Sequence, residues 1–195
     1  EIAQCLVGSE MCIRDSNKPI AKIHVQKEYI MWYAILGAVL LAGDQILKYW
    51  VVTHLAVGES APFLPGFMQL TRLHNYGAAW SSLSGRTVLL VVFTAVLLAA
   101  VALLLIKKVV RHWTGITACT LILSGGIGNI IDRIVHGYVV DMFDLQLFSY
   151  PVFNLADCCV VVGAILGGIY YLFLYEKYDK KKKEPDHAHD PSDPS

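Results

Sequence analysis

Three stretches of the chain run for a membrane's width without a charge. They are "TVLLVVFTAVLLAAVALLLI" from Thr87 to Ile106, "WTGITACTLILSGGIGNII" from Trp113 to Ile131, and "CCVVVGAILGGIYYLFLY" from Cys158 to Tyr175. At about 1.5 Å rise per residue, each nearly or fully crosses a hydrocarbon core of about 30 Å. A fourth candidate, from about Tyr29 to Val52, is apolar as far as Gly43 and then admits Asp44 and Lys48. The pattern predicts an all-α membrane protein with four transmembrane helices. Between the first two spans, "APFLPGFMQLTRLHNYGAAWSSL" alternates apolar and polar positions around Pro and Gly. That predicts short strands, a small β-rich region at the outer membrane surface.

The ends of the chain read differently. "EIAQCLVGSEMCIRDSNKP" has no hydrophobic period, and its "VGSEMCIRDS" portion resembles translated adaptor sequence. Residues 1–28 are therefore read as an uninformative, artefact-like extension, with Met31 as the natural start. Residues 29–176 form the membrane domain. Residues 177–195, including "KKKKEPDHAHDPSDPS", have almost nothing apolar to bury and are expected to be a disordered tail. No removable signal peptide is expected, because Asp44 and Lys48 stand where a small-residue cleavage site belongs.

Composition agrees with the spans: 55% of residues are hydrophobic and 16% charged, against about 25% charged in soluble domains. Net charge is zero, but its distribution sets orientation. Lys18, Lys22 and Lys27 precede the first span, Lys107, Lys108 and Arg111 fill the second link, and Lys177 with Lys180 to Lys183 follow the fourth. The other loops hold only Arg72, Arg86 and Arg133, with Lys48 near the end of the first span. The positive-inside rule then makes both termini cytoplasmic and puts loops 53–86 and 132–156 outside. Cys5, Cys12, Cys119, Cys158 and Cys159 have no metal-ligand spacing and read as small packing residues. No metal or other cofactor and no nucleic-acid partner is expected.

The polar residues in and beside the spans gather at the outer face: Asp44 and Lys48, then Asn75, then Asn129, Asp132 and Arg133, then Asp141 and Asp144, then Asn154 and Asp157. Several have bland explanations. Asn154–x–x–Asp157 reads as a helix-capping pattern, Asp44 with Lys48 as an i, i+4 ion pair, and Asp132 beside Arg133 as another pair. Asp141 and Asp157 resist such readings, because "DMFDLQLFSYPVFNLAD" holds no Lys or Arg. Two carboxylates meeting at a low-dielectric boundary cannot both ionise cheaply, so one keeps its proton. One protonated and one ionised carboxylate sharing a water is the working state of an aspartic protease.

Together "DQILKYWV", "NYGAAWS", "GGIGNIIDRIVHGYVVDMFD" and "FNLAD" resemble the bacterial lipoprotein signal peptidases, the type II signal peptidases, over roughly Met31 to Tyr175. The resemblance implies a four-helix inner-membrane aspartic endopeptidase. Such enzymes cut the signal peptide from a prolipoprotein just before its diacylglyceryl-cysteine. It implies catalytic roles for Asp141 and Asp157. It implies substrate-binding or supporting roles for Asp44, Asn75, Gly77, Asn129, Asp132, Arg133 and Asn154, with Ala78 a matching small residue. Asp144 and Asp132 are the rivals for the Asp141 position. Trp80 and Met142 stand where phenylalanine is usual in the family, and Cys158 where serine is common. The implied partners are prolipoproteins and membrane lipids, and the expected state is a monomer. Competing classes are an ion-coupled transporter, which would want acids near the midplane, and a non-catalytic scaffold for lipidated proteins.

Overall fold

The computed structural model describes residues 18–77 and 85–179, with side chains from residue 30 onward. Ala78, Trp80 and residues 180–195 of the expected tail lie outside the described residues, whereas its first residues, 177–179, are ordered: Lys177 and Tyr178 are helical and Asp179 is buried. Helix α1 (Lys18–His54) is followed by strands β1 (Ser60–Leu64) and β2 (Met68–Asn75). Helices α2 (Thr87–Ile106) and α3 (Trp113–His136) come next, then strand β3 (Val139–Leu145) and helix α4 (Leu155–Ile169). A π-helical turn at Tyr170–Leu174 and a short α5 (Tyr175–Tyr178) complete the fourth span. The four crossings expected from hydropathy are present as Ile30–His54, Thr87–Ile106, Trp113–His136 and Leu155–Tyr178. The first helix begins at Lys18, upstream of the hydrophobic stretch.

Helix α3 is the hub. Helices α1, α2 and α4 all pack on it, α4 most closely. Close approach of α3 and α4 depends on glycine: a Cβ at Gly125 would collide with the carbonyl oxygen of Ala156, and one at Gly163 would stand 2.9 Å from that of Ala118. In lipid, where apolar side chains gain little by leaving the hydrocarbon, such close backbone packing holds helices together. At the end of α3, Gly137 adopts φ +82°, and its N–H donates to the Arg133 carbonyl. This left-handed cap turns the chain straight into β3, so strand and helix end share one corner.

The three strands form an antiparallel sheet in the order β1-β2-β3. Val140 and Met142 of β3 pack against Val51 and Leu55 of α1, with Ala61 and Leu70 beside them. The guanidinium of Arg72 donates to the carbonyls of Val52 and Leu55, satisfying groups that the end of α1 leaves open. The expected surface strands are thus present. β3 is an addition: Asp141, read as a loop residue, lies mid-strand.

The opposite end of the bundle is fastened by Asp179. Its carboxylate accepts from the backbone N–H groups of Arg111 and His112, from Arg111 Nε at 3.2 Å and from the Tyr170 hydroxyl at 2.6 Å. Burial would raise the pKa of this acid, but those donors outweigh it and hold it below the usual carboxylate range.

Candidate active site

The site is assembled where three spans end and the sheet begins. From α1, the Lys48 ammonium lies 2.8 Å from Asp44 and 2.9 Å from Asp132, and donates to Asn129 Oδ1 at 3.0 Å. Gln45 from the same helix donates to Asp44, Asp132 and the Gly128 carbonyl. Asp44, Lys48 and Asp132 are 1%, 3% and 2% exposed, so these charges depend on one another rather than on water. Asp44 also accepts from the Ala156 N–H, and Asp132 from the Val140 N–H. One ion-pair knot therefore fixes the first turn of α4 and the start of β3.

Asp141 and Asp157 sit on what this knot positions. Asn154 caps α4: its side chain accepts from the Asp157 N–H, and the Asp157 carboxylate accepts from the Asn154 N–H. The same Asn154 side chain donates to Asp141 Oδ1 at 2.7 Å and to Asn129 Oδ1 at 3.2 Å. Capping and site-building are thus one residue's two jobs, one for each half of its amide. Asp141 Oδ2 accepts from Asn75 of β2 at 3.0 Å, and Asp157 Oδ1 from Asn129 of α3 at 2.8 Å. Asn75 in turn accepts from the Gly77 N–H, and Arg133 donates to the carbonyls of Gly77 and Asn129.

All nine residues picked from the sequence fall in this one network. One pairing differs from expectation. Arg133 does not pair with Asp132; it spans to Gly77, and Lys48 is the partner of Asp132. Consecutive residues point about 100° apart around a helix axis, so adjacent acid and base rarely face each other. Asp144 is removed from the cluster: it accepts from Gln69 and Thr71 on the sheet. Met142 is fully buried in the core beneath the sheet rather than at the site. Lys48 and Gln45 were not among the residues singled out for the site. The i, i+4 spacing of Asp44 and Lys48 was the available signal, and it read as a simple pair.

The electrostatics are lopsided. Four carboxylates (Asp44, Asp132, Asp141, Asp157) share the site with two cations, Lys48 and Arg133. Lys48 is committed to Asp44 and Asp132, and among the described residues Asp141 and Asp157 receive only amide N–H donors. Burial, and then the charge of Asp157, push the Asp141 pKa up to about 7 against the opposing hydrogen bonds of Asn75 and Asn154. Asp141 is 1% exposed, whereas Asp157 is half-buried, so the second carboxylate is the more open to an incoming group. No group of three or more His, Cys, Asp or Glu among the described residues is arranged to hold a metal.

Residues 36–173 match the family model for signal peptidase (SPase) II, which takes in every residue of this site. The chain belongs to the signal peptidase II family. Membership makes it an aspartic-type peptidase of the membrane, as the sequence motifs implied. It is 41% identical over 151 residues to the lipoprotein signal peptidase of Enterococcus faecalis, covering 77% of this chain and 93% of that protein. Its identity to the lipoprotein signal peptidase of Lactococcus lactis is 38% over 149 residues, 76% and 95% of the two chains. Two bacterial membrane enzyme structures determined by the in meso method share its architecture. Their TM-scores are 0.70 and 0.69 at 32% and 33% identity, covering 80% and 74% of this chain and 95% of each of theirs.

Proposed function

We propose that the protein removes signal peptides from diacylglyceryl-modified prolipoproteins by cutting before the lipidated cysteine, with Asp141 and Asp157 activating the water. The observation that carries this is the pair of carboxylates bridged by Asn154, neither of them in an ion pair among the described residues. Asp157, the more open, takes a proton from water as the oxygen attacks the scissile carbonyl. Asp141 holds the shared proton and donates it to the developing oxyanion. Collapse of the tetrahedral intermediate passes a proton to the departing amine of the cysteine, and the dyad is reset. Acid–base help of this kind is worth about 10²–10⁴-fold in rate. Asn75, Asn129 and Asn154 orient the two carboxylates. Asp44, Lys48 and Asp132 hold the elements that carry them.

A site at the membrane surface suits such a substrate. The signal helix and acyl chains stay in hydrocarbon while one amide enters the polar cluster. The Lys and Arg distribution supports both termini in the cytoplasm and the site at the outer face, in the bacterial inner membrane, and four packed helices support a monomer. A periplasm-dependent reporter enzyme fused after Tyr178 should be silent; a fully active fusion would reverse that orientation.

The reaction is tested by incubating the purified protein with a diacylglyceryl-modified prolipoprotein and with its unmodified precursor. Cleavage of the modified form alone is expected. Equal cleavage of both, or of neither, would contradict the proposed specificity. A transporter is disfavoured because the acids cluster at one end of the bundle rather than at mid-span.

A further inference from the structure

Helices α1 and α2 both pack on α3 but form no packed seam with each other among the described residues. Between them lies a groove of about 1010 Å³ that runs along α1 and α3, from Lys108 and Trp113 at one end to Leu41 and Ile127 at the other. Its walls are apolar, with Tyr33 from α1 and Ile116 and Leu123 from α3. The hydroxyls of Thr120 and Ser124, which also line it, donate to carbonyls of their own helix, so the wall offers a ligand no open polar group there. The mouth is different: Lys108, Arg111 and Trp113 surround it.

Two features of that mouth point to an anion. Lys108 has φ +53°, a left-handed conformation, immediately after the last helical residues of α2. Glycine is the usual occupant of such a position, because a Cβ is strained there. Lys108 is exposed and has no side-chain partner among the described residues, so its ammonium is available to a ligand at this mouth. Arg111 is held by Asp179 through Nε and Nη2, which leaves Nη1 open. Trp113 is 65% exposed, as aromatic residues are at the headgroup level.

We propose that this groove is a binding site for an anionic phospholipid, with acyl chains lying along α1 and α3 and the phosphate between Lys108 and Arg111. Basic pockets between transmembrane helices bind acidic headgroups by this arrangement. A signal peptide is the poorer occupant, since its own positively charged leading segment would meet Lys108 and Arg111. The basic mouth lies at the other end of the groove from the site of Asp141 and Asp157, and the proposal does not rest on the peptidase reading.

The test is lipid binding by the full-length protein in detergent, read by native mass spectrometry with phosphatidylglycerol and phosphatidylcholine as competing probes. One retained phosphatidylglycerol is expected, with its preference weakened by added salt. Lys108→Gly supplies the residue the backbone prefers, so the lipid-free protein should melt no lower than the parent. Its affinity for phosphatidylglycerol should nevertheless fall about fivefold, the worth of one basic group near an anionic headgroup. Lys108→Asn, which also tolerates this conformation, should behave alike and serves if the glycine variant fails to fold. Equal binding of the two lipids, unchanged affinity in both variants, or displacement of phosphatidylglycerol by a synthetic signal peptide would overturn the proposal.

Discussion

Replacing Asp141 or Asp157 with asparagine is expected to lower the cleavage rate by about 10³- to 10⁵-fold, with the two losses far from additive in the double variant. Residues that act as a unit are lost as a unit. Both single variants should still fold, because each carboxylate accepts amide hydrogen bonds that an asparagine partly reproduces. Asp141→Asn carries its own control. A buried acid whose folded pKa is raised to about 7 favours the folded state only while it is protonated. Its contribution is fully present below the ordinary carboxylate pKa near 3.8 and is lost as pH rises through about 7. The melting temperature of the parent should therefore fall between pH 6 and pH 8 more than that of Asp141→Asn, when both are measured in the same detergent. An inactive variant with that flatter pH response is a folded protein lacking its dyad. Retention of a tenth of parental activity in either variant would remove that aspartate from the chemistry.

The second large effect concerns Lys48. Truncation to methionine leaves Asp44 and Asp132 buried together without their cation, a loss of about 3–5 kcal/mol in stability. The damage should reach the chemistry too, because Asp44 holds the first turn of α4 and Asp132 the start of β3. Adding Asp132→Asn to Lys48→Met should restore part of the stability by removing one stranded charge. A negative coupling of this sort distinguishes a shared ion pair from independent sites. Thermal unfolding of the four proteins of this cycle provides the check. A Lys48→Met protein as stable as the parent would mean that the acids in this knot are not held by charge.

Much of this arrangement was legible in the chain because a bilayer makes misplaced polarity conspicuous. An Asp beside "CCVVVGAILGG" stands out, and the three-residue spacing of Asn129 with Asp132, and of Asn154 with Asp157, puts each pair on one helical face. Strand β3 was harder. Val139, Val140, Asp141 and Met142 are all buried, so "VVDM" lacks the alternation that marks a half-exposed strand. Without that strand, nothing in the sequence brings Asn75 to Asp141. The Lys48–Asp132 pair was hidden for a related reason. It joins residues far apart in sequence through helix packing, whereas sequence adjacency pointed to Arg133, whose side chain leaves in another direction. Local spacing reports what one helix presents; it does not report what the next helix answers with.

The same limit explains Lys108. As part of "KKVVRH" it reads as one more cytoplasmic charge. Only the backbone conformation separates it from its neighbour Lys107, and only the gap between α1 and α2 gives it a groove to serve.

The central claim, one proton held between Asp141 and Asp157, is tested most directly by the pH dependence of kcat/KM on a lipid-modified prolipoprotein. The account predicts a bell, falling in acid as the second carboxylate gains a proton and falling again above a limb near pH 7 as the shared proton is lost. A rate that stayed level or kept rising from pH 7 to pH 9 would contradict it.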